Sequence, residues 1–169
     1  INNLTMALSS VEIDVLVCSA GILRDEFLSD LNIETIREQF EVNAIAPLRI
    51  VEALQKNISS GYAGTSCGKV AVITSRMGSI TDNGSGGRYG YRMSKAALNI
   101  AAMSLSKDLL ARNIAVGIYH PGYVQTDMVN NRGDITATEA ATRLVGLMNE
   151  LTMEETGVFK HSNGEILPW

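Results

Sequence analysis

The chain has 169 residues, 46% hydrophobic and 19% charged, with a formal net charge of −4, a balance that predicts one soluble domain, residues 1–169, with a substantial core. An acidic net charge without a basic stripe argues against nucleic acid as a partner, and no apolar run reaches the roughly 20 residues of a membrane span. The two cysteines are too few for a disulfide framework and lack metal-ligand spacing, so no bound metal is expected. Residues 1–10 lack a signal-peptide pattern, so a cytoplasmic protein is expected.

The first half of the chain pairs a short apolar run with a long amphipathic stretch. Residues 1–10 are typical of the end of a helix. The run IDVLVCSAG at 13–21 is rich in Val, Ile and Leu, which favours a buried parallel strand. Residues 30–58 carry apolar residues at helical spacing, so they predict a helix. Asn32 can cap this helix, and Pro47 is expected to bend it.

The second half continues the alternation of strands and helices. The predicted elements are a loop at 59–68, a strand at 69–75, a loop at 76–88, a helix at 88–112, a strand at 114–122, a helix opened by the capping box TATE at 136–139, and a strand with its return at 158–167. Such alternation forms right-handed β-α-β units, so the expected fold class is α/β with a doubly wound, Rossmann-like parallel sheet. Ligands of such sheets bind beyond the carboxyl ends of the strands.

The stretch YGYRMSKAALN places Tyr91 and Lys95 four residues apart, on one face of a predicted helix. A nearby ammonium group lowers the pKa of a phenol, which would make Tyr91 a general acid and base near neutral pH. Ser75, at the end of the preceding strand, could donate a hydrogen bond to a substrate oxygen. These groups suit proton transfer at an alcohol or carbonyl oxygen, and the hydride must come from a cofactor. The same spacing also occurs on ordinary helices, and Tyr89 is a weaker candidate because Met93 follows it at plus four.

Five segments in order resemble the short-chain dehydrogenase/reductase family, and most closely its C-factor-like carbonyl reductases. They are VLVCSAG, VN, VAVITSRMGSI, YGYRMSKAALN and HPGYVQTDM, and the ending NGEILPW is similar as well. The resemblance covers the chain from about residue 11 to the last residue. It implies an NAD(P)-dependent oxidoreductase that reduces a carbonyl or oxidises an alcohol of a small molecule, with NADP or NAD as cofactor.

The resemblance also implies a role for each matching residue. Tyr91 would donate the proton, Lys95 would lower its pKa and hold the nicotinamide ribose, and Ser75 would orient the substrate oxygen. Asn43 would hold a water molecule in the proton relay, although a structural role beside Pro47 is equally open from the sequence. The residues implied for cofactor binding are Ala20, Gly21, Tyr91, Lys95, Pro121, Gly122, Val124 and Thr126. Met128 and the residues up to Gly133 would form part of a substrate lid.

The chain departs from the family pattern in two places. Cys18 and Ser19 stand where the family has two asparagines that link neighbouring strands, which puts local stability in doubt. The 169 residues also contain no TGxxxGxG loop, the feature that holds the cofactor pyrophosphate at a helix N-terminus. The sequence therefore resembles the carboxyl-terminal two-thirds of a reductase, truncated at the N-terminus, and we expect these residues alone to bind nicotinamide cofactor weakly or not at all. The strand at 13–18 would then have an open edge, which another copy, residues 1–10 or another part of the polypeptide would cover.

Two other interpretations stay open. The first is a non-catalytic, oligomer-forming remnant of the same fold, because the helices at 32–58 and 88–112 pack against a second subunit in the family. A homo-oligomer is also the expectation for an enzyme of this family. The second is a sugar-nucleotide epimerase or dehydratase, which shares Tyr-x-x-x-Lys. It is less favoured, because such proteins carry a larger carboxyl-terminal substrate domain.

Overall fold

The computed structural model of the chain describes residues 1–60 and 67–169, so most of the loop predicted at 59–68 lies outside the described residues. Strands and helices alternate along it as predicted. In chain order the main elements are α1 (Asn2–Ala7), β1 (Val15–Cys18), α2 (Ile33–Phe40), a π turn (Glu41–Ile45), α3 (Ala46–Leu54), β2 (Gly68–Ile73), α4 (Tyr89–Asp108), β3 (Ile114–His120), α5 (Ala137–Glu150) and β4 (Phe159–His161).

The four strands form one parallel sheet in the order β1-β2-β3-β4. Val15 pairs with Lys69, and Gly68 pairs with Ile114, so the first three strands are aligned over most of their length. β4 is short, and an antiparallel bridge between Lys160 and Ile166 marks the predicted return of the chain. All-parallel pairing with a crossover between strands confirms the predicted α/β fold class.

Helices cover both faces of the sheet. On one face, α3 and α4 bury Val51, Leu98 and Ala102 against the strands. On the other face, Leu144 and Met148 of α5 form a separate cluster with Ala71 and Tyr119 of the strands. β3 is buried along its whole length except at its last residue, as expected for a strand between two helical layers. The sheet is therefore doubly wound. Among the described residues, no helix is long and apolar enough to cross a bilayer.

The long helix predicted at 30–58 is interrupted. Its start is as predicted, because the Asn32 side chain accepts hydrogen bonds from the main-chain N–H groups of Glu34 (3.0 Å) and Thr35 (3.2 Å). Pro47 has no N–H to donate to the carbonyl of Asn43, four residues earlier. The helix widens into the π turn immediately before this proline, so the expected bend is a local change of helix type that places Asn43 inside the wide turn.

The strand β1 stays open on one side. Among the described strands it pairs with β2, and its side chains Val15 and Val17 are 37% and 44% exposed. Residues near the N-terminus are bound elsewhere, since the Asn57 side chain donates to the carbonyl oxygens of Leu8 (2.7 Å) and Val11 (3.0 Å). Residues 1–10 therefore do not cover β1, and the other two coverings expected from the sequence, a second copy or another part of the polypeptide, stay predictions.

Close approach of α4 to α2 depends on Gly90. A Cβ atom at this position would lie 2.9 Å from Glu26 Oε1 and 3.1 Å from Ile36 Cα, with Gln39 Nε2 closer still.

We expect Gly90→Ala to lower the free energy of unfolding by about 1–3 kcal/mol, because overpacking outweighs the better helix propensity of alanine. Gly146→Ala is the matched control, since Gly146 lies within α5 with no atom within 4 Å of a Cβ there. It should raise the same free energy by about 0.5–1 kcal/mol. Urea denaturation measures both, and equal effects would contradict the packing argument.

Candidate active site

A cavity of about 500 Å³ lies at the carboxyl ends of β1, β2 and β3, beside the first turns of α4. Parallel strands end at one edge of the sheet, and α4 begins there, so the segments that follow the strands meet at this point. Of the residues predicted for the site, those that line the cavity are Gly21, Ser75, Tyr91, Lys95, Pro121, Gly122, Val124 and Thr126. Met128, predicted for the lid, lines it too.

Two predicted residues lie outside the cavity lining. Ala20 is exposed, and Asn43 is fully buried behind the cavity. A larger, open depression of about 660 Å³ lies elsewhere, between residues 9–12, 56–60 and 111–113, and it contains no predicted site residue. The chemistry proposed from the sequence therefore converges on the smaller cavity.

Tyr91, Lys95 and Ser75 lie together, and all three side chains are buried. The Lys95 Nζ atom is 5.8 Å from the centroid of the Tyr91 ring. It donates a hydrogen bond of 3.1 Å to the carbonyl oxygen of Ile73, the last residue of β2, which ties α4 to the edge of the sheet. The Ser75 side chain lies beside the phenol of Tyr91, and its Oγ accepts a hydrogen bond from the main-chain N–H of Met77 at 3.1 Å. The phenol thus has a hydroxyl group and an ammonium group as neighbours.

Burial controls the protonation of both groups. It raises the pKa of Tyr91 above the ordinary value, whereas the nearby hydroxyl of Ser75 and the charge of Arg88 act in the opposite direction. Burial also lowers the pKa of Lys95, to about 8. The sequence predicted a lowered Tyr91 pKa, and the structure gives the reverse, because the loss of solvent at the end of a buried helix outweighs the nearby charge. At neutral pH Tyr91 is therefore protonated and Lys95 is a cation.

Asn43 connects three parts of the site. Its Oδ1 accepts a hydrogen bond from the main-chain N–H of Ile22 (2.8 Å), and its Nδ2 donates to the carbonyl oxygen of Ile22 (2.8 Å) and to Ser94 Oγ (3.0 Å). Ser94 in turn donates to the carbonyl oxygen of Tyr91 at 2.9 Å. Both amide hydrogens of Asn43 are occupied, so its side chain fixes the segment after β1 against α4.

Gly21 leaves room for a ligand beside the lysine. A Cβ atom at this position would lie 3.4 Å from both Lys95 Nζ and Asn43 Oδ1. The lysine ammonium has three donors, and one of them is used by Ile73. The remaining donors and the bare backbone of Gly21 thus face the same small space.

Sequence reasoning missed a buried carboxylate, Glu26, that holds the start of α4. Glu26 is 1% exposed. Its carboxylate accepts hydrogen bonds from the N–H of Gly90 (3.2 Å), from Thr35 Oγ1 (3.1 Å) and from Gln39 Nε2. A carboxylate at a helix N-terminus is favourable, but Glu26 lies in a polar segment 64 residues before Gly90. No local pattern in the sequence could have indicated this contact.

The cavity also contains His120, at the end of β3, which the sequence analysis did not assign. Its ring stacks edge-on with that of His161, with 5.0 Å between the ring centroids. Burial, followed by the neighbouring charges of His161, Arg76 and Lys95, lowers the pKa of His120 to about 3. His120 is therefore neutral at physiological pH.

The doubly wound parallel sheet, with a buried Ser-Tyr-Lys cluster at its carboxyl edge, places the chain in the Rossmann-like class of α/β proteins. The model of the short chain dehydrogenase family matches residues 5–136, and the chain belongs to this family, whose members are NAD(P)-dependent oxidoreductases. The resemblance inferred from the five sequence segments is confirmed.

Relatives of known name agree with this assignment. The 1-hydroxy-2-glutathionyl-2-methyl-3-butene dehydrogenase of Rhodococcus sp. (strain AD45) is 37% identical over 163 residues, which cover 94% of this chain and 70% of that protein. The C-signal of Myxococcus xanthus is 36% identical over 158 residues, 93% of each chain.

Among solved structures, the carbonyl reductase Sniffer of D. melanogaster matches with a TM-score of 0.90 at 26% identity, over 99% of this chain and 71% of that one. A carbonyl reductase from Pseudomonas aeruginosa PAO1 in complex with NADP matches with a TM-score of 0.78 at 29% identity, over 99% of this chain and 71% of that one.

Proposed function

We propose that this protein reduces a carbonyl, or oxidises the corresponding alcohol, of a small molecule with NADP or NAD, through Ser75, Tyr91 and Lys95. The observation that carries the proposal is the position of Tyr91 in a cavity at the carboxyl ends of the strands, beside the hydroxyl of Ser75 and with the Lys95 Nζ atom 5.8 Å from its ring centroid. The names of a dehydrogenase and of carbonyl reductases among the relatives support it.

The protonation states suit reduction at neutral pH. Ser75 and Tyr91 would both donate a hydrogen bond to the substrate oxygen, where negative charge develops. Tyr91 holds its proton until the oxygen becomes basic, and then transfers it. The Lys95 cation would stabilise the phenolate that remains. The nicotinamide cofactor supplies the hydride when bound.

The residues around Lys95 fit such a cofactor. The free donors of Lys95 and the phenol of Tyr91 are suited to sugar hydroxyl groups, and Gly21 leaves the space open on the same side. Gly122, Val124 and Thr126 line the cavity after β3 and would meet the nicotinamide side.

The charge state of Lys95 predicts the pH dependence of reduction. Its pKa, lowered to about 8, means that the cation is present below this pH and lost above it. We therefore expect kcat/KM for reduction to fall as the pH rises through about 8. Tyr91 and His120 do not account for this step, because burial moves the pKa of Tyr91 above and that of His120 far below this range.

Lys95→Met tests this assignment in the native, full-length protein. At pH 7 it should lower kcat/KM about tenfold to a hundredfold and remove the step near pH 8, because a nearby charge changes a phenol pKa by about 1–3 units. Lys107→Met is the matched control, since Lys107 is exposed in the last turn of the same helix. A Lys95→Met protein with unchanged activity and an unchanged pH profile would contradict the proposal.

A second candidate is the non-catalytic, oligomer-forming protein considered from the sequence. One observation favours it: the relative that matches over 93% of each chain is named for a signal and not for a reaction. Titration with NADPH and an assay of NADPH oxidation with simple aldehydes separate the two candidates. Saturable binding with turnover supports the enzyme, whereas a native protein with neither, eluting as an oligomer in size-exclusion chromatography, supports the second candidate.

A further inference from the structure

Positive charge gathers at the cavity although the chain as a whole is acidic. Arg76, Arg88 and Lys95 line it, and among the described residues that do so there is no aspartate or glutamate. The formal net charge of the chain is −4. A cleft lined by one sign of charge attracts ligands of the opposite sign. The residues that line the cavity therefore differ in charge from the chain as a whole, although an aspartate outside the lining offsets the charge of each arginine.

Both arginines are held in place from behind. Arg76 Nε lies 2.7 Å from Asp82 Oδ2, and Arg88 Nε lies 2.6 Å from Asp25 Oδ1. Neither aspartate lines the cavity. Each carboxylate therefore binds its arginine through Nε, and the terminal Nη atoms of both arginines make no hydrogen bond to another described residue. This leaves the end of each guanidinium free to bind an anion with two parallel hydrogen bonds.

Arg88 is also held in an unfavourable backbone conformation. Its φ of 51° lies in the left-handed region, which is uncommon for residues other than glycine and asparagine. The main-chain N–H of Arg88 donates to the carbonyl oxygen of Glu26 at 2.8 Å, and the carboxylate of Glu26 binds Gly90. Contacts on both sides of Arg88 thus fix its backbone three residues before Tyr91, and the ion pair with Asp25 holds its side chain.

The two arginines belong to the substrate side of the cavity. Arg76 directly follows Ser75, and Arg88 comes shortly before Tyr91, so both flank the groups that would hold the reacting oxygen. The segments that would meet the cofactor come after β1 and β3 instead. Apolar side chains, including Met77, Val129 and Leu144, line other parts of the same cavity.

We propose that the substrate carries an anionic group, a carboxylate or a phosphate monoester, on an apolar body, and that Arg88, assisted by Arg76, binds this group while Ser75 and Tyr91 hold the reacting oxygen. This inference rests on the proposed function, because it assigns the substrate class of the same cavity. It makes Arg88 a specificity-determining residue that takes no part in proton transfer.

Ligand-detected NMR titrations of the native protein with benzoate, phenyl phosphate and the neutral isostere benzamide test this proposal. We expect at least one anion to bind about tenfold or more tightly than benzamide, since a charge-assisted, two-point contact is lost with the neutral ligand. The comparison of benzoate with phenyl phosphate decides which anion is preferred. These ligands are not substrates, so the result does not depend on turnover.

Arg88→Asn is the main variant, because asparagine tolerates the left-handed conformation and the fold should be preserved. It should remove most of the preference for the anion, and Arg76→Gln should weaken it further in the double variant. Arg37→Gln is the matched control, since Arg37 forms an exposed ion pair with Glu34 and does not line the cavity. The control should keep the wild-type preference.

Three outcomes would overturn the proposal. The first is a wild-type protein with no preference for either anion over benzamide, and the second is a double variant that keeps the preference. The third is binding of a cofactor phosphate by the arginines, in which case Arg88→Asn weakens binding of adenosine 2′,5′-bisphosphate and leaves benzoate unaffected. A protein that prefers anions through Arg88 but never oxidises NADPH would contradict the proposed function and retain the anion site.

Discussion

Replacing Tyr91 with phenylalanine is expected to lower kcat for carbonyl reduction about a thousandfold in the native protein, within the range measured for the loss of a general acid. The substitution removes one oxygen atom and leaves the buried ring in place. The substrate oxygen then lacks its proton donor, while the neighbouring hydroxyl of Ser75 is retained. The dissociation constant for NADPH should change far less than kcat, by about tenfold at most, because only one hydrogen bond to the cofactor sugar is lost and Lys95 stays in place through its bond to Ile73. Steady-state kinetics and a fluorescence titration with NADPH measure the two quantities.

Tyr89→Phe is the control for this experiment. Tyr89 lies in the same turn of α4, but it does not line the cavity, and Met93 occupies the position that Lys95 has relative to Tyr91. Its activity should be within about twofold of the wild type, as expected for a substitution outside the site. If Tyr91→Phe retained turnover, or if both variants lost it equally, Tyr91 would not be the proton donor.

Local patterns were sufficient for most of the fold. The apolar runs at 69–75 and 114–122 became β2 and β3, because Val and Ile on both faces suit a strand between helical layers. The Thr136 side chain caps α5 through the N–H of Glu139 at 3.2 Å, as the TATE box predicted. The helix predicted at 88–112 ends where Asn113 adopts the left-handed conformation, after α4 and the short turn that follows it.

Features that depend on contacts between distant segments could not be predicted from local sequence patterns. Burial sets the pKa of Tyr91 in the opposite direction to that expected from its neighbour Lys95, and burial is a property of the assembled fold. Glu26 reaches Gly90 from a segment with an ordinary polar sequence. The Nη atoms of Arg76 and Arg88 are left unpaired because Asp82 and Asp25 bind the Nε atoms instead. The spacing of these residues in the sequence does not indicate that they meet.

Asn43→Ala is expected to lower the free energy of unfolding by about 2–4 kcal/mol, because a buried side chain with three hydrogen bonds leaves several unpaired groups when it is removed. Asn43 is 0% exposed, and its amide binds both main-chain groups of Ile22 and the hydroxyl of Ser94. The π turn before Pro47 directs this amide between the segment after β1 and α4. Asn149→Ala, on the exposed side of α5, should change the same free energy by less than about 0.5 kcal/mol.

The same experiment separates the two roles that the sequence left open for Asn43. Since both amide hydrogens are used within the protein, a water molecule of the proton relay would have to bind the main-chain carbonyl oxygen or the second lone pair of Oδ1. The main-chain carbonyl is retained in the alanine variant. The variant should therefore lose stability in urea denaturation, while the pH dependence of its remaining activity keeps the step near pH 8 that belongs to Lys95. An Asn43→Ala protein of unchanged stability with a displaced step would instead indicate that the side chain itself takes part in the relay.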